Sequence, residues 1–448
     1  MLCAALGMMC FAGCGDSSSD DSSSASDTAS SAAESSEAEE TSEEDSSETE
    51  SEEASDDLKA PVSDTTIDVE ADGATENMLI RSIMSEGDST RIAEKLQAAI
   101  DLVNDDSMEA TEKVAYATKV AFIGDSITAG SVTTSNDNTY VKQFESWWID
   151  NIGYYIETIN AGIGATDSYL GVHRVDSEVL AENPDIIFIE FINDTNDDFY
   201  KTTMDSLIRK CLAQENNPAV ILVEMTTESG SSAQEVHAEI AEYYGVPVIS
   251  YHDAVMPEVE AGTLDYDSIQ NDEVHPNDTG HILLGQLLTN YIQTIIDDLD
   301  NLDKVSEAFD TSLESPTGDK YADAVLCDST SELVTVVDEG TFTEDTTVLW
   351  NFADGWATST EGTIEFEMEF KNLGILYTEM YSTLGGIATI SIDGEEVTTI
   401  DADFTSGWGD YACNVELAAY DEKATHTVTV TVAEGTGTNF EILRWMIS

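Results

Sequence analysis

Two apolar rhythms divide this chain. Between residues 119 and 251, short apolar-rich runs occupy 119–123, 186–191, 219–225 and 246–251, and the mixed stretch 155–160 also reads as a strand. Runs of that length, bounded by Gly, Pro, Asn or Asp, read as buried strands. Between them, 203–213 and 232–244 carry apolar side chains at helical spacing, as do 90–103 ahead of the first run and 280–296 after the last. Met78-Leu79-Ile80 fits the same helical pattern. Strands alternating with helices predict right-handed crossovers and a parallel sheet. Residues 301–325 are acidic and polar, turn at Pro316-Thr317-Gly318, and read as a linker. Beyond 325 the rhythm changes to short alternating stretches at 363–370, 373–381, 387–392 and 425–432, with turns at Asp393-Gly394 and Glu434-Gly435. That pattern predicts an antiparallel β-sandwich over 326–448.

The N-terminus follows neither rhythm. Residues 16–57 are almost entirely Ser, Asp, Glu, Ala and Thr, without aromatics, Lys or Arg. Self-repelling charge and little apolar area cannot offset the entropy of ordering, so 15–74 is expected to be a disordered acidic tether. The first thirteen residues form a short apolar run ending in Ala12-Gly13, with Cys14 directly after it. This resembles a bacterial lipobox, which implies cleavage before Cys14 and lipidation of that residue. Residues 1–14 are then a lipoprotein signal segment and the protein an extracellular, cell-surface lipoprotein. The alternative is an ordinary signal peptide and release into the medium. Membrane contact is expected only through the lipid.

Composition narrows the partners. The 448 residues hold 91 Asp plus Glu against 16 Lys plus Arg, a net charge of −75. Such a surface repels nucleic acid and anionic lipid and disfavours an anionic polymer as substrate, whereas a neutral polysaccharide meets no such barrier. Of six cysteines, Cys3, Cys10 and Cys14 lie at the N-terminus; Cys211, Cys327 and Cys413 are far apart and form no metal pattern. Cys327 and Cys413 could pair, but buried thiols are the simpler expectation.

Candidate chemistry sits where strands end. Gly124-Asp125-Ser126 joins the run 119–123 to Ile127-Thr128-Ala129-Gly130, which places Ser126 at the carboxyl end of a strand and the start of a helix. The small-residue loop Asn160-Ala161-Gly162-Ile163-Gly164-Ala165-Thr166 follows the stretch 155–160, Asn193-Asp194 follows the run 186–191, and Asp272-Glu273-Val274-His275 precedes the last helix. Singly, Ser126 could be an N-cap, His275 a packed surface histidine and Asp272 one loop acid among many. Together, and in this order, the four blocks resemble the SGNH/GDSL hydrolase family over about residues 75–300. Lys142 to Trp148, with its paired Trp147-Trp148, is similar to a bacterial secreted subgroup, as are His173-Arg174 and His275-Pro276-Asn277-Asp278 before Gly280-His281.

The resemblance implies a three-layer, flavodoxin-like α/β domain with Ser126 as nucleophile, His275 as general base and acid, and Asp272 as its orienting carboxylate. It further implies an oxyanion hole from Ser126, the Gly164-Ala165 loop and Asn193, with no metal or organic cofactor. Two departures stand out. Ala165 replaces a glycine common in the family, and Phe191 holds the glycine place of the usual Gly-x-Asn-Asp block, with Asn196-Asp197 as a second Asn-Asp nearby. His281 and Trp147-Trp148 are expected to be structural, and His173 solvated or packed rather than lining a cleft.

The C-terminal stretch resembles jelly-roll modules of the galactose-binding type. That resemblance implies either carbohydrate binding or a purely structural accessory, with Trp350, Trp356, Trp408 and Tyr411 as candidate stacking faces. The expected function is an extracellular serine esterase acting on O-acyl, above all O-acetyl, esters of carbohydrate. Its partner is an acylated polysaccharide or another small-acyl ester. The competing expectations are a lipase, lysophospholipase or thioesterase, and a non-catalytic glycan-binding lipoprotein.

Overall fold

A computed structural model describes residues 58–345, 349, 351–381, 384–405, 407–435 and 437–448. Cys14, the segment up to residue 57 and Trp350 lie outside the described residues. The first sheet contains β1 (Ile83–Ser85), β2 (Thr118–Gly124), β3 (Ile156–Gly162), β4 (Ile186–Glu190), β5 (Ala219–Glu224) and β6 (Val248–Ser250) in the order β1-β6-β5-β4-β2-β3. Strands β2 to β6 pair in parallel, and the short β1 adds an antiparallel edge that the apolar pattern did not predict. Strand order reverses between β2 and its neighbours β3 and β4. Open α/β sheets open a crevice at such a switch point.

Helices α1 (Thr90–Asn104), α2 (Ser126–Ala129), α3 (Tyr140–Asn151), α4 (Ser168–Glu178), α5 (Asp198–Leu212), α6 (Gln234–Tyr244), α7 (Tyr251–Glu260) and α8 (Asp278–Asp297) complete the layers. Successive residues of a strand point to opposite faces, so β2 divides its apolar run between two cores. Val120 and Phe122 join Leu96 of α1, Phe144 and Trp148 of α3 and Leu287 of α8. Ala121 and Ile123 join Leu170 of α4, Leu207 of α5 and Ile240 of α6. The domain is therefore the three-layer α/β arrangement expected.

Residues 59–74, expected to belong to the disordered segment, instead lie on the domain. Arg81 is buried and directs its guanidinium at the carbonyls of Ala60, Pro61, Asp253 and Ala254 and at Glu258. A buried cation requires such acceptors, and the 60–61 backbone supplies two of them. The Ser63 backbone N–H also reaches Glu258.

The C-terminal domain is all antiparallel: β7 (Val325–Cys327), β8 (Val334–Asp338), β9 (Thr343–Asp345), β10 (Gly355–Thr358), β11 (Gly362–Glu379), β12 (Ile387–Ile392), β13 (Glu395–Asp401), β14 (Tyr411–Val432) and β15 (Phe440–Ile447). The stretches 363–370 and 373–381, expected as separate strands, belong largely to one long β11. It is irregular between Phe370 and Gly374, where its register against β14 shifts. Bulges bend a strand without ending it, and these curve β11 and β14 around a core of Phe366, Ile390, Val430, Ile442 and Trp445. Trp356 fills the same core instead of offering a stacking face. Cys211, Cys327 and Cys413 are buried and form no disulfide among the described residues.

The segment 301–325 contains no helix or strand before Val325, yet it is bonded down. Ser315 and Thr317 donate to Asp205 of α5, and Tyr321 is buried beside Tyr169 of α4. Leu376, Ala412, Leu443 and Met446 of the second sheet share one core with α4 and α5.

Candidate active site

Glycine at 124 is dictated by space. A Cβ there would meet the Thr128 hydroxyl at 2.1 Å and the Glu190 carbonyl at 2.6 Å, far inside van der Waals contact. A Cβ on Gly162 would likewise meet the Ala129 nitrogen at 2.2 Å. The two glycines let β2 and β3 close onto α2, which brings Ser126 against the loop that follows β3. Asp125 caps α2 by accepting the Ile127 N–H at 2.9 Å. Helix α2 has only four residues and stops at Gly130, whose φ is 81°. Such a short helix contributes free N–H groups more than a helix dipole.

Ser126 Oγ lies 2.9 Å from His275 Nε2, and His275 Nδ1 lies 2.9 Å from Asp272 Oδ2. Asp272 also accepts the backbone N–H groups of Val274 and His275 at 3.0 and 2.8 Å. Burial acts to raise the Asp272 pKa, but these N–H groups and the imidazole outweigh it and hold the carboxyl below its ordinary value. Among the described residues, the backbone N–H groups of Ser126, Gly164 and Ala165 donate to no partner. A Cβ on Gly164 would sit 3.8 Å from Ser126 Cβ, so the loop lies directly beside the serine.

Asn193 also reaches this place, but its amide protons go to Asp125 Oδ2 at 3.0 Å and the Thr166 carbonyl at 2.9 Å. It thereby ties the Gly124-Asp125-Ser126 turn to the 163–167 loop. Asn196 is elsewhere: its amide bonds Glu235 and its oxygen accepts the Val236 N–H, both on α6.

The two departures have structural answers. Ala165 has φ 60°, in the left-handed region, which costs an L-residue about 1–2 kcal/mol. Ala165→Gly should therefore keep the N–H and raise stability by about 0.5 kcal/mol, since the added freedom of glycine in the unfolded chain takes back roughly 0.4–1 kcal/mol. A urea melt showing a lower midpoint for this variant would count against strain at 165. Phe191 is buried, and space for its ring comes from α4: a Cβ on Gly171 would meet Phe191 Cζ at 2.6 Å. The glycine has in effect moved across the contact.

Glu190, Glu224 and His237 carried no signal in the sequence, and the structure gives them, with Asp125, Arg174 and Asp194, places around the site. Burial pushes Asp125 up to about 7, against the pull of the Ile127 and Asn193 N–H groups. Glu190, buried alongside, is raised well above its ordinary value, first by burial and next by Asp125; it accepts from Thr128 Oγ1 at 2.7 Å and the Ile192 N–H at 3.0 Å. Arg174 is buried and donates to the carbonyls of Gly124 and Ala161 at 2.8 and 2.7 Å, holding the ends of β2 and β3. His237 lies between Glu224 and Asp194 at 3.0 and 3.1 Å, all three buried. Burial alone would lower its pKa; the two carboxylates overcome this and bring it to about 10. Asp194 in turn accepts the Ser168 N–H at 2.9 Å. His173 and His281 are packed, and burial lowers them to about 3 and about 4. Among the described residues no cluster of His, Cys, Asp and Glu could hold a metal ion.

A serine turn at a switch point, an imidazole bridging serine and carboxylate, and unspent N–H groups beside it make an arrangement able to carry out acyl transfer. Residues 122–283 match the family model described as GDSL-like lipase/acylhydrolase, and the chain is a carboxylic ester hydrolase with an SGNH-like domain. It is similar to the crystal structure of a two-domain esterase active on acetylated mannans: 26% identity, TM-score 0.68, 82% of this chain and 97% of that one covered. The same esterase co-crystallised with mannopentaose gives 25% identity, TM-score 0.68 and coverage of 82% and 96%. A comparison with curated proteins gave no match.

Proposed function

We propose that the protein is a surface-held serine esterase that removes O-acetyl groups from an acetylated polysaccharide, with Ser126, His275 and Asp272 as its catalytic residues. The observation that carries this reading is the single imidazole within hydrogen-bond distance of both Ser126 and Asp272. His275 Nε2 takes the Ser126 proton as Oγ attacks the ester carbonyl. The resulting oxyanion is received by the N–H groups of Ser126, Gly164 and Ala165. Collapse expels the sugar alkoxide, which takes the proton back from His275 and leaves an acetyl-Ser126. Water, deprotonated by the same imidazole, then releases acetate. Asp272 fixes the tautomer and stabilises the imidazolium without taking its proton. Asn193 braces the turn and the loop.

A carbohydrate substrate is supported by the mannan-active esterase to which the whole two-domain architecture is similar. The charge of −75 disfavours anionic polymers and lipid surfaces. Trp408, 68% exposed and packed against Tyr411 and Phe404, offers an aromatic face of the kind that stacks on sugar rings. The lipobox-like Cys14 and the acidic segment behind it support display outside the cell, tethered through lipid.

The test is acetate release from acetylated mannan, xylan and pectin, beside a chain-length series of p-nitrophenyl esters. Acetylated mannan is expected to be deacetylated fastest, and acetyl esters to outrun esters of eight or more carbons. Preference for the long chains would overturn the carbohydrate reading in favour of a lipase.

A further inference from the structure

The loop proposed to receive the oxyanion is held from three sides. Thr166 Oγ1 closes it on the Ile163 carbonyl at 2.7 Å, and the Thr166 carbonyl accepts from Asn193. The third hold is at Asp167, two residues beyond Ala165. Its Oδ1 caps α4 by accepting the Leu170 N–H at 2.9 Å, and its Oδ2 accepts the Tyr200 hydroxyl of α5 at 3.2 Å. The same Oδ1 accepts the Asn414 amide at 3.0 Å. Asn414 belongs to β14, in the C-terminal sheet, 247 residues away along the chain.

This contact is not an isolated touch between domains. Strand β11 pairs Leu376 with Asn414 and passes over α4 at Gly374, where a Cβ would meet the Tyr169 hydroxyl at 2.2 Å. Tyr321 is buried beside Tyr169 and donates to Glu416 on β14 at 2.8 Å. Lys320 reaches the same Glu416 at 2.7 Å. Helix α4 begins at Ser168, so its first turn is fixed by the second sheet and the loop enters that turn without a spacer.

We propose that Asn414 is a positioning residue for ester hydrolysis: through Asp167 it sets the 163–167 loop, so turnover depends on the second domain even for substrates too small to touch that domain. The inference rests on the proposed oxyanion role of Gly164 and Ala165. Donors aimed at a developing charge lose their effect when displaced by about 1 Å, at a cost of up to roughly a hundredfold in rate. Loss of the Asn414 contact should therefore lower kcat and leave KM alone.

The groups facing Asp167 are Asp194, Tyr200, Tyr169, Tyr321 and Asn414 itself. Burial first, and Asp194 second, raise Asp167 to about 6. Asn414→Asp keeps the shape of the side chain but sets a second carboxylate against the first. Two carboxylates at this distance cannot both ionise readily, and at acid pH one shared proton restores the bond.

The experiment uses the full chain and p-nitrophenyl acetate, which is too small to bridge the domains. Asn414→Ala is expected to lower kcat by about tenfold with KM within about twofold of native. For Asn414→Asp, the ratio of variant to native kcat should rise as pH falls from 8 to 5; taking the ratio removes pH effects common to both proteins. Native kcat in Asn414→Ala, or a ratio that stays flat with pH whatever the melting temperature, would overturn the proposal. An inactive native protein, or a Ser126→Ala variant that turns over normally, would instead remove the catalytic reading beneath it.

Discussion

Ser126→Ala is expected to lower kcat for acetate release by about 10⁴-fold or more, with KM for the polymer within a few-fold of native. Ser126 Oγ hydrogen-bonds to His275, so the variant loses one atom and that hydrogen bond at a position 8% exposed. Nothing in the core depends on it. The reaction loses its covalent route, while the N–H groups around the loop still bind the carbonyl oxygen. His275→Ala should fall nearly as far, and the double variant hardly further, because the two residues act as one unit. Acetate released from acetylated mannan, with urea melts to show intact folding, measures both. A loss smaller than tenfold for Ser126→Ala would end the nucleophile assignment.

The largest effect on stability should come from His237→Gln. In the native protein one imidazolium neutralises Glu224 at 3.0 Å and Asp194 at 3.1 Å inside the fold. Removing it leaves two buried carboxylates with no cation between them. Breaking such a buried network costs about 3–5 kcal/mol, a large share of the 5–15 kcal/mol by which a domain is folded. The pH dependence has a definite sign. A histidine raised from about 6.5 unfolded to about 10 folded contributes its full stabilisation below pH 6.5. That stabilisation is lost as pH rises through 10. The melting temperature of native protein minus variant should accordingly shrink between pH 6.5 and 10. A difference independent of pH over this range would mean that His237 is held neutral. Activity should suffer too, since Asp194 fixes the Ser168 N–H at the start of α4.

Much of this site can be read along the chain because its chemistry is local. Asp272 and His275 stand three residues apart in one turn, and Gly124-Asp125-Ser126 is a contiguous turn whose glycine has a steric reason. The apolar runs gave β2, β4, β5 and β6 because buried parallel strands must be apolar on both faces, whereas β3, at the sheet edge, is only partly buried and carries Glu157 and Thr158. Edge strand β1 escaped, being three residues long with no apolar run of its own. The Phe191 departure was visible but not its answer, since Gly171 lies on another helix. Similarly, nothing near His237 in sequence names its partners, Glu224 at the end of β5 and Asp194 in the turn after β4.

By itself, then, the amino-acid order determined the alternation of layers, the serine at a strand end, the acid and imidazole in one turn, and an all-β tail. These are short-range consequences of periodicity, turn chemistry and residue type. Tertiary structure alone decided that Asn193 spends its amide on Asp125 and Thr166, that Ala165 bears a left-handed backbone, and that Asn414 reaches Asp167. Each depends on where a distant segment lands, and packing, not local preference, sets that position.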